Sequence, residues 1–175
     1  NRLALIRDPR VPWSVIDRWF QGLLSSQSAL DQPVNDPLAH ALLQNMAIHP
    51  ATHLSILQRL FTDFALTYRP EVLQNPNFPR SHWTPHLSDI LTQKLAVDTL
   101  MQRADLESDD CEILFKQPQT SPLLRNPFLP TIFLDQIVDT YLASPDFFGT
   151  TPLVNVLTNP SLSNAHLDRL VARCC

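Results

Sequence analysis

The stretch Arg125-Asn126-Pro127-Phe128-Leu129-Pro130, followed by Leu134 and Ile137, decides the fold because its pattern recurs along the chain. In each copy a proline follows a polar residue, and apolar residues stand at fixed distances from that proline. The copies of the central pair are Asp8-Pro9, His49-Pro50, Asn75-Pro76, Asn126-Pro127 and Asn159-Pro160. Internal repetition at intervals of a few tens of residues is typical of solenoid proteins.

Each copy predicts a pair of helices. We number positions from the proline of each pair, which is position 0. Apolar residues at −4 and −3 end a short first helix, and the residue at −1 forms a turn because a following proline disfavours the α conformation. Apolar residues at +7, +10, +11 and +14 share one face of a second helix. The proline at +3, as in Pro130, is expected in the first turn of that second helix.

The intervals between copies are irregular, which predicts one degenerate copy and two insertions. The degenerate copy is centred on Ala104, with Leu100 and Met101 at −4 and −3 and Leu114 at +10. Polar segments 25–36 and 144–151 are expected to be inserted loops. Thr84 before Pro85 predicts a helix that starts there and runs to about Arg103. We therefore expect an all-α fold of five or six helix pairs in one domain, 1–175, within a larger protein.

The run Arg125-Asn126-Pro127-Phe128-Leu129-Pro130 resembles the leucine-rich-repeat variant family, as does Asn159-Pro160-Ser161-Leu162, which is followed by Leu167 and Leu170. The resemblance implies a right-handed superhelix in which α-helices alternate with short 3₁₀ helices. A HEAT-like helical repeat is the looser match. The repeats in this chain are longer and less regular than those of the family. Some members carry an N-terminal cysteine cluster for an iron–sulfur centre; this sequence has no such cluster, so we expect no cofactor.

Composition narrows the class of protein. Sixteen prolines and two glycines disfavour antiparallel sheets, which depend on tight hairpin turns. The net charge of −4 disfavours a general nucleic-acid binder, whose affinity comes largely from phosphate neutralisation. Cys111, Cys174 and Cys175 form no disulfide framework, so we expect a reducing, cytoplasmic location. No apolar run is long enough to span a membrane, so no membrane partner is expected.

Two histidine pairs have the spacing of metal ligands. His49 and His53 are four residues apart, as are His82 and His86. We favour structural roles because a usable site needs three or four ligands, and because His49 stands at a turn position and His86 at a core position. Cys111 and Cys174 also fall at core positions. No catalytic motif is present, and two glycines are too few for a phosphate loop, so we expect a non-enzyme.

The candidate partner-binding residues are polar and stand at +8 and +9 of the second helices. They are Asp17, Arg18, Arg59, Asp135, Asp168 and Arg169. In stacked repeats they would form a ladder, and its favoured interpretation is a solvated row of ion pairs. The alternative interpretation is a groove that binds a partner. We expect a protein-binding or scaffolding module, with nucleic-acid binding by an arginine-lined groove as the alternative function.

Overall fold

The computed structural model describes residues 2–26, 36–118, 120–143 and 150–174. Within these ranges all regular elements are helical, which confirms the all-α prediction. The helices are α1 Arg2–Leu5, α2 Trp13–Ser26, α3 Pro37–Ile48, α4 Leu54–Asp63, α5 Ala65–Gln74, α6 Arg80–Trp83, α7 Leu87–Ile90, α8 Lys94–Leu100, α9 Ser108–Phe115, α10 Ser121–Leu124, α11 Thr131–Ala143, α12 Thr150–Leu157 and α13 Asn164–Cys174. A 3₁₀ turn, Thr84–His86, joins α6 to α7.

The chain forms two compact units, Asn1–Ala96 and Val97–Cys175. The prediction of a single domain stays a prediction. The predicted insertions at 25–36 and 144–151 fall mainly on residues 27–35 and 144–149, which lie outside the described residues.

In the N-terminal unit the first helices pack in chain order, with α3 between α1 and α5. Asp36 begins α3 because its side chain accepts hydrogen bonds from the Leu38 and Ala39 N–H groups. The second helices α2 and α4 bury the expected apolar face. Its fully buried side chains include Ile16, Phe20, Leu57, Leu60 and Phe61.

In the C-terminal unit the second helix α11 packs against both α9 and α13, while the first helices α10 and α12 pack against each other. The predicted core positions of α11, Leu134, Ile137 and Val138, are buried. The core of the degenerate copy is also buried, and it includes Leu114 and Cys111. The described elements of this unit therefore form two helical layers with the core between them.

The polar residue at −1 connects successive repeats. Asn126 donates hydrogen bonds from Nδ2 to the carbonyls of Met101 and Arg103, and its Oδ1 accepts from the Phe128 N–H. Asn159 donates in the same way to the carbonyls of Leu124 and Asn126, at 2.7 and 2.9 Å. In both cases the acceptors stand at −3 and −1 of the preceding copy. The degenerate copy therefore accepts the same two hydrogen bonds from Asn126 that a regular copy accepts from Asn159.

The same connection recurs in the N-terminal unit. Asn75 donates to the carbonyls of Ala47 and His49, at 2.8 and 2.9 Å. His49 replaces asparagine with an imidazole: Nδ1 accepts from the Ala51 N–H, and Nε2 lies 2.9 Å from the carbonyl oxygen of Asp8. The Ala51 bond occupies the acceptor nitrogen, so Nε2 carries the hydrogen that is donated to Asp8. His49 is therefore structural, in agreement with its turn position.

The helix predicted from Thr84 to Arg103 is wrong. The second helix of the third copy begins at Arg80, directly after Pro79, as the repeat pattern requires. Thr84 is not an N-cap; its hydroxyl donates to the carbonyl of Arg80. Pro85 lies in the 3₁₀ turn, which interrupts the α-helix because proline lacks an N–H and clashes with the preceding turn. The helix ends at Ile90, and α8 is the first helix of the next copy.

Two further expectations are corrected. The proline at +3 lies one residue before the second helix rather than inside its first turn, as Pro79 does as the N-cap of α6. Three positions predicted to be in the core are exposed in the described residues: Leu5 is 53% exposed, Leu157 45% and Val171 60%. The period of a helix identifies which residues share a face, but neighbouring elements decide how much of that face is covered.

Candidate interaction surface

The second helices of the C-terminal unit form the candidate surface. Because α11 lies between α9 and α13, its polar residues divide between two flanks. Asp135 and Asp139 face α13, where they contact Arg169. Gln136 and Thr140 face α9, where they line a cleft. Residues four apart share a side of a helix, which explains why each flank carries a pair.

The cleft between α9 and α11 has a volume of about 310 Å³. Its walls come from two helices, and the lining residues are Glu112, Phe115, Lys116, Phe133, Gln136, Ile137 and Thr140. The rings of Phe115 and Phe133 meet edge to face with centroids 5.7 Å apart. Phe133 and Ile137 are buried, whereas Glu112, Lys116, Gln136 and Thr140 are exposed. The cleft therefore has an apolar floor and a polar rim with one acid and one base.

The opposite flank of α11 carries a cluster of charges. Asp135 Oδ1 lies 3.0 Å from His166 Nε2 and 3.3 Å from a terminal nitrogen of Arg169. The other terminal nitrogen of Arg169 donates to Asp139. The side chains of Asp135 and Arg169 are 47% and 39% exposed, so water screens this pair, and each such exposed pair stabilises the fold by about 0–1 kcal/mol. The cluster joins α11 to α13.

Ser163, His166 and Asp135 together contain the groups of a hydrolase triad, but their hydrogen bonds form a helix cap. The His166 N–H donates to Ser163 Oγ, and the Ser163 N–H donates to His166 Nδ1. Ser163 Oγ also lies 2.9 Å from Nδ1. The backbone N–H already occupies the one lone pair of Nδ1, so this nitrogen is not an open base for the hydroxyl. Nε2 then donates to Asp135. The arrangement is a capping box with imidazole in place of glutamate.

The candidate residues of the N-terminal unit have local partners. Arg59 donates to Asp63 on its own helix at 3.3 Å, and its guanidinium lies 5.7 Å from the ring centroid of Phe20 on α2. Asp17 accepts a hydrogen bond from Gln21, also on its own helix. Arg18 is exposed, as is Asp168 in the C-terminal unit. Among the six candidates, contact between repeats through opposite charges therefore occurs at Asp135 and Arg169. Partner binding by the ladder stays a prediction.

Three features of this surface were not predicted from the sequence: His166, Asp139 and the aromatic floor of the cleft. Two of these leave a signal in the sequence. Asp139 stands four residues after Asp135, and Ser163 precedes His166 by three, the spacing of a capping box. Phe115 and Phe133 leave none, because their contact joins two helices that are separated by a first helix.

The remaining polar candidates have structural contacts. Within the described residues no group of three or more His, Cys, Asp or Glu side chains could hold a metal. The ring of His53 accepts from the Ser55 N–H at the start of α4, and the ring of His86 packs on Phe61. In the acidic run 105–112, Asp105 pairs with Arg103 at 2.6 Å. Glu107 and Asp110 form the capping box of α9.

Of the three cysteines, only Cys111 has a described side chain. Cys111 is fully buried, which confirms its core position, and burial together with the Asp110 carboxylate raises the pKa of its thiol to about 12. The side chains of Cys174 and Cys175 lie outside the described residues.

Comparisons with protein-family models, with curated proteins and with solved structures gave no match. The resemblance to the leucine-rich-repeat variant family therefore depends on the motif residues alone. Within the described ranges, no helix combines the length and the apolar character needed to cross a bilayer.

Proposed function

We propose that the chain is a right-handed α-solenoid of five or six helix-pair repeats that acts as a non-enzymatic protein-binding or scaffolding module. The repeated hydrogen bonds from the −1 side chain to the preceding copy support the solenoid, because each repeat then depends on its nearest neighbour. The right hand of the superhelix is what the resemblance to the leucine-rich-repeat variant family implies.

The cleft between α9 and α11 is the observation that carries the proposed function. Its apolar floor consists of the half-buried ring of Phe115 packed against the buried ring of Phe133, and its rim carries exposed polar side chains. An apolar side chain of a partner would cover the Phe115 ring, while the rim would hydrogen-bond its backbone. On the opposite flank of α11, the pair of Asp135 and Arg169 supplies a second polar surface, next to α13.

Arg59 and Arg169, two of the ladder residues, favour a protein partner over a nucleic acid. Arg59 lies against Asp63, and Arg169 lies against both Asp135 and Asp139. A phosphate backbone would have to compete with these carboxylates for the guanidinium groups, and the acids would repel it. Such paired charges suit a partner with both signs of charge.

Site-specific photo-crosslinking in native lysate tests the proposal. p-Benzoylphenylalanine is placed at Gln136 on the rim of the cleft or, as the matched control, at Val154 on the first helix α12. Both residues are exposed, so the two probes differ mainly in position: one lies on a second helix and the other on a first helix. We expect one defined protein crosslinked from Gln136 and none from Val154. Crosslinks to nucleic acid, or equal crosslinking from both positions, would contradict the proposal.

The affinity of lysine variants of this chain for the partner identified by crosslinking then tests the role of the rim. Lys116 and Lys94 are the two lysines of the chain, and both are exposed, but only Lys116 lines the cleft. We expect Lys116→Ala to weaken binding about three- to tenfold, because the Lys116 ammonium would be only partly desolvated. Lys94→Ala should leave the affinity unchanged. Equal effects of the two substitutions, measured by calorimetry, would show that binding does not use the cleft.

A further inference from the structure

Arg125 is oriented by a neutral, buried amide. Its Nε donates a 2.6 Å hydrogen bond to Oδ1 of Asn155, which is 1% exposed. Asn155 is held in turn, because its Nδ2 donates to the hydroxyl of Ser121 at 2.9 Å. These two bonds tie α10 to α12 and fix the direction of an otherwise flexible guanidinium. Because the side chain is already ordered, less of its conformational entropy is lost when a ligand binds.

The guanidinium of Arg125 meets an uncharged amide, whereas those of Arg10, Arg59, Arg103 and Arg169 lie against carboxylates. In the part of the chain that the structure describes, no carboxylate pairs with Arg125. Within the described residues its two terminal nitrogens have no hydrogen-bond partner. These nitrogens provide the paired donors that match the two oxygens of a carboxylate.

The guanidinium borders a cleft of about 500 Å³. Pro122, Pro127 and Phe128 supply its apolar walls, and Gln102 lies at its polar edge. Phe128 is 59% exposed, so the face of its ring is accessible to a ligand in the cleft. A flat apolar surface beside a positive charge favours a ligand that has an anion next to an apolar or aromatic group.

We propose that this cleft is a second binding site, which takes a carboxylate adjacent to an apolar group. In a protein partner this would be an acidic side chain, or a terminal carboxylate, next to an aromatic or aliphatic residue. One guanidinium balances one carboxylate, whereas phosphate groups are usually recognised by several arginines together. The cleft lies beside the first helix α10, apart from the cleft between α9 and α11. If this second site binds no carboxylate, the function proposed for the cleft between α9 and α11 is unaffected.

Benzoate is the probe for this site, since it joins a carboxylate to a flat ring. Binding is followed by NMR through the Nε–H signal of Arg125 and the ring signals of Phe128. We expect saturable shifts of these signals with a Kd of about 1–10 mM, the range for so small a ligand. Benzamide has the same shape without the charge, and we expect at least about tenfold weaker binding for it. Equal shifts with benzamide, or no shift with benzoate, would overturn the proposal.

Phenyl phosphate and three variants complete the test. Phenyl phosphate bound more than about tenfold more tightly than benzoate would overturn the assignment to carboxylates in favour of phosphate. Phe128→Ala and Arg125→Lys should each weaken benzoate binding at least about fivefold, the first through the ring wall and the second through the paired donors. Ile132→Ala is the matched control, because Ile132 is 64% exposed and lies outside the cleft. An unchanged affinity in Phe128→Ala would contradict the proposed site.

Discussion

Asn159 donates a 2.9 Å hydrogen bond from its side chain to the backbone carbonyl of Asn126, the residue at the same position in the preceding repeat. Asn126 makes the same bond, at 2.7 Å, to the carbonyl of Arg103. Both asparagines are almost fully buried. The side chain of Asn126 thus donates to the preceding repeat, and its backbone carbonyl accepts a hydrogen bond from the following repeat. Asn159 also donates to the carbonyl of Leu124, which has no donor in the turn because Pro127, three residues later, lacks an N–H.

Replacing Asn126 should therefore be costly. Asn126→Ala leaves the carbonyls of Met101 and Arg103 and the N–H of Phe128 without this partner. We expect the free energy of unfolding to fall by about 2–4 kcal/mol, measured by urea denaturation. Gln136→Ala in the same unit is the control, with an expected change within about 0.5 kcal/mol. Similar midpoints for the two variants would show that the connection contributes nothing.

His49 offers a test of whether imidazole and amide are interchangeable at the −1 position. His49→Asn introduces the residue that stands at −1 in the copies of Asn75, Asn126 and Asn159, with one acceptor for Ala51 and a donor for the carbonyl of Asp8. We expect His49→Ala to lower the free energy of unfolding by about 1–3 kcal/mol and His49→Asn to recover at least half of that loss. Thermal and urea denaturation measure both. If His49→Asn is no more stable than His49→Ala, the imidazole has a role beyond these two bonds.

The charge cluster predicts unequal effects of two neighbouring acids. Asp135 accepts from His166, whose side chain is 5% exposed, so Asp135→Ala leaves a buried N–H without its partner. We expect a loss of about 1–3 kcal/mol. Asp139 is exposed and contacts Arg169, so Asp139→Ala should cost about 0–1 kcal/mol. Urea denaturation of both variants checks the order, and a larger effect at Asp139 would contradict it.

Asp8 should titrate at unusually low pH. Hydrogen bonds from the side chain and backbone of Arg10 lower the pKa of Asp8 to about 2. A depressed pKa stabilises the folded state at pH above the ordinary carboxyl value of about 4, and that stabilisation is lost as pH falls to about 2. We expect Arg10→Ala to return the pKa of Asp8 towards the ordinary value, measured by NMR titration of its side-chain carbon. Arg7→Ala, which changes a neighbouring exposed arginine, should leave the pKa low.

Cys111 should be inert in the folded protein. Its thiol has a pKa of about 12 because burial disfavours the thiolate, which is the reactive form. With Cys174 and Cys175 replaced by serine, we expect labelling at pH 8 to be at least about a thousandfold slower in buffer than in denaturant. The raised pKa also predicts that stability falls as pH rises from the ordinary thiol value towards 12, because the unfolded thiol ionises first. Rapid labelling of the folded protein would contradict the burial of Cys111.

Helix positions were predicted correctly where the signal lay within one segment and agreed with the repeat pattern. The second-helix core of α11, from Leu134 to Val138, was predicted because a period of 3.6 residues is visible within one segment. The helix predicted from Thr84 to Arg103 was wrong because Thr84 and Pro85 also match a helix start when they are read alone. The repeat pattern, which places the start after Pro79, was the better guide. The candidate ladder was predicted by position, but its actual partners were not.

Proline geometry and helical periodicity act over a few residues, so local sequence was enough to predict the all-helical class, the turn at each proline and the residues that share a helix face. What those residues contact depends on tertiary packing. The bond from Asn159 to Asn126 and the contact between Phe115 and Phe133 join parts of the chain that are far apart in sequence. The burial of Asn155, which orients Arg125, also depends on the packing of two helices. Such contacts are set by how whole helices pack, which no single segment encodes.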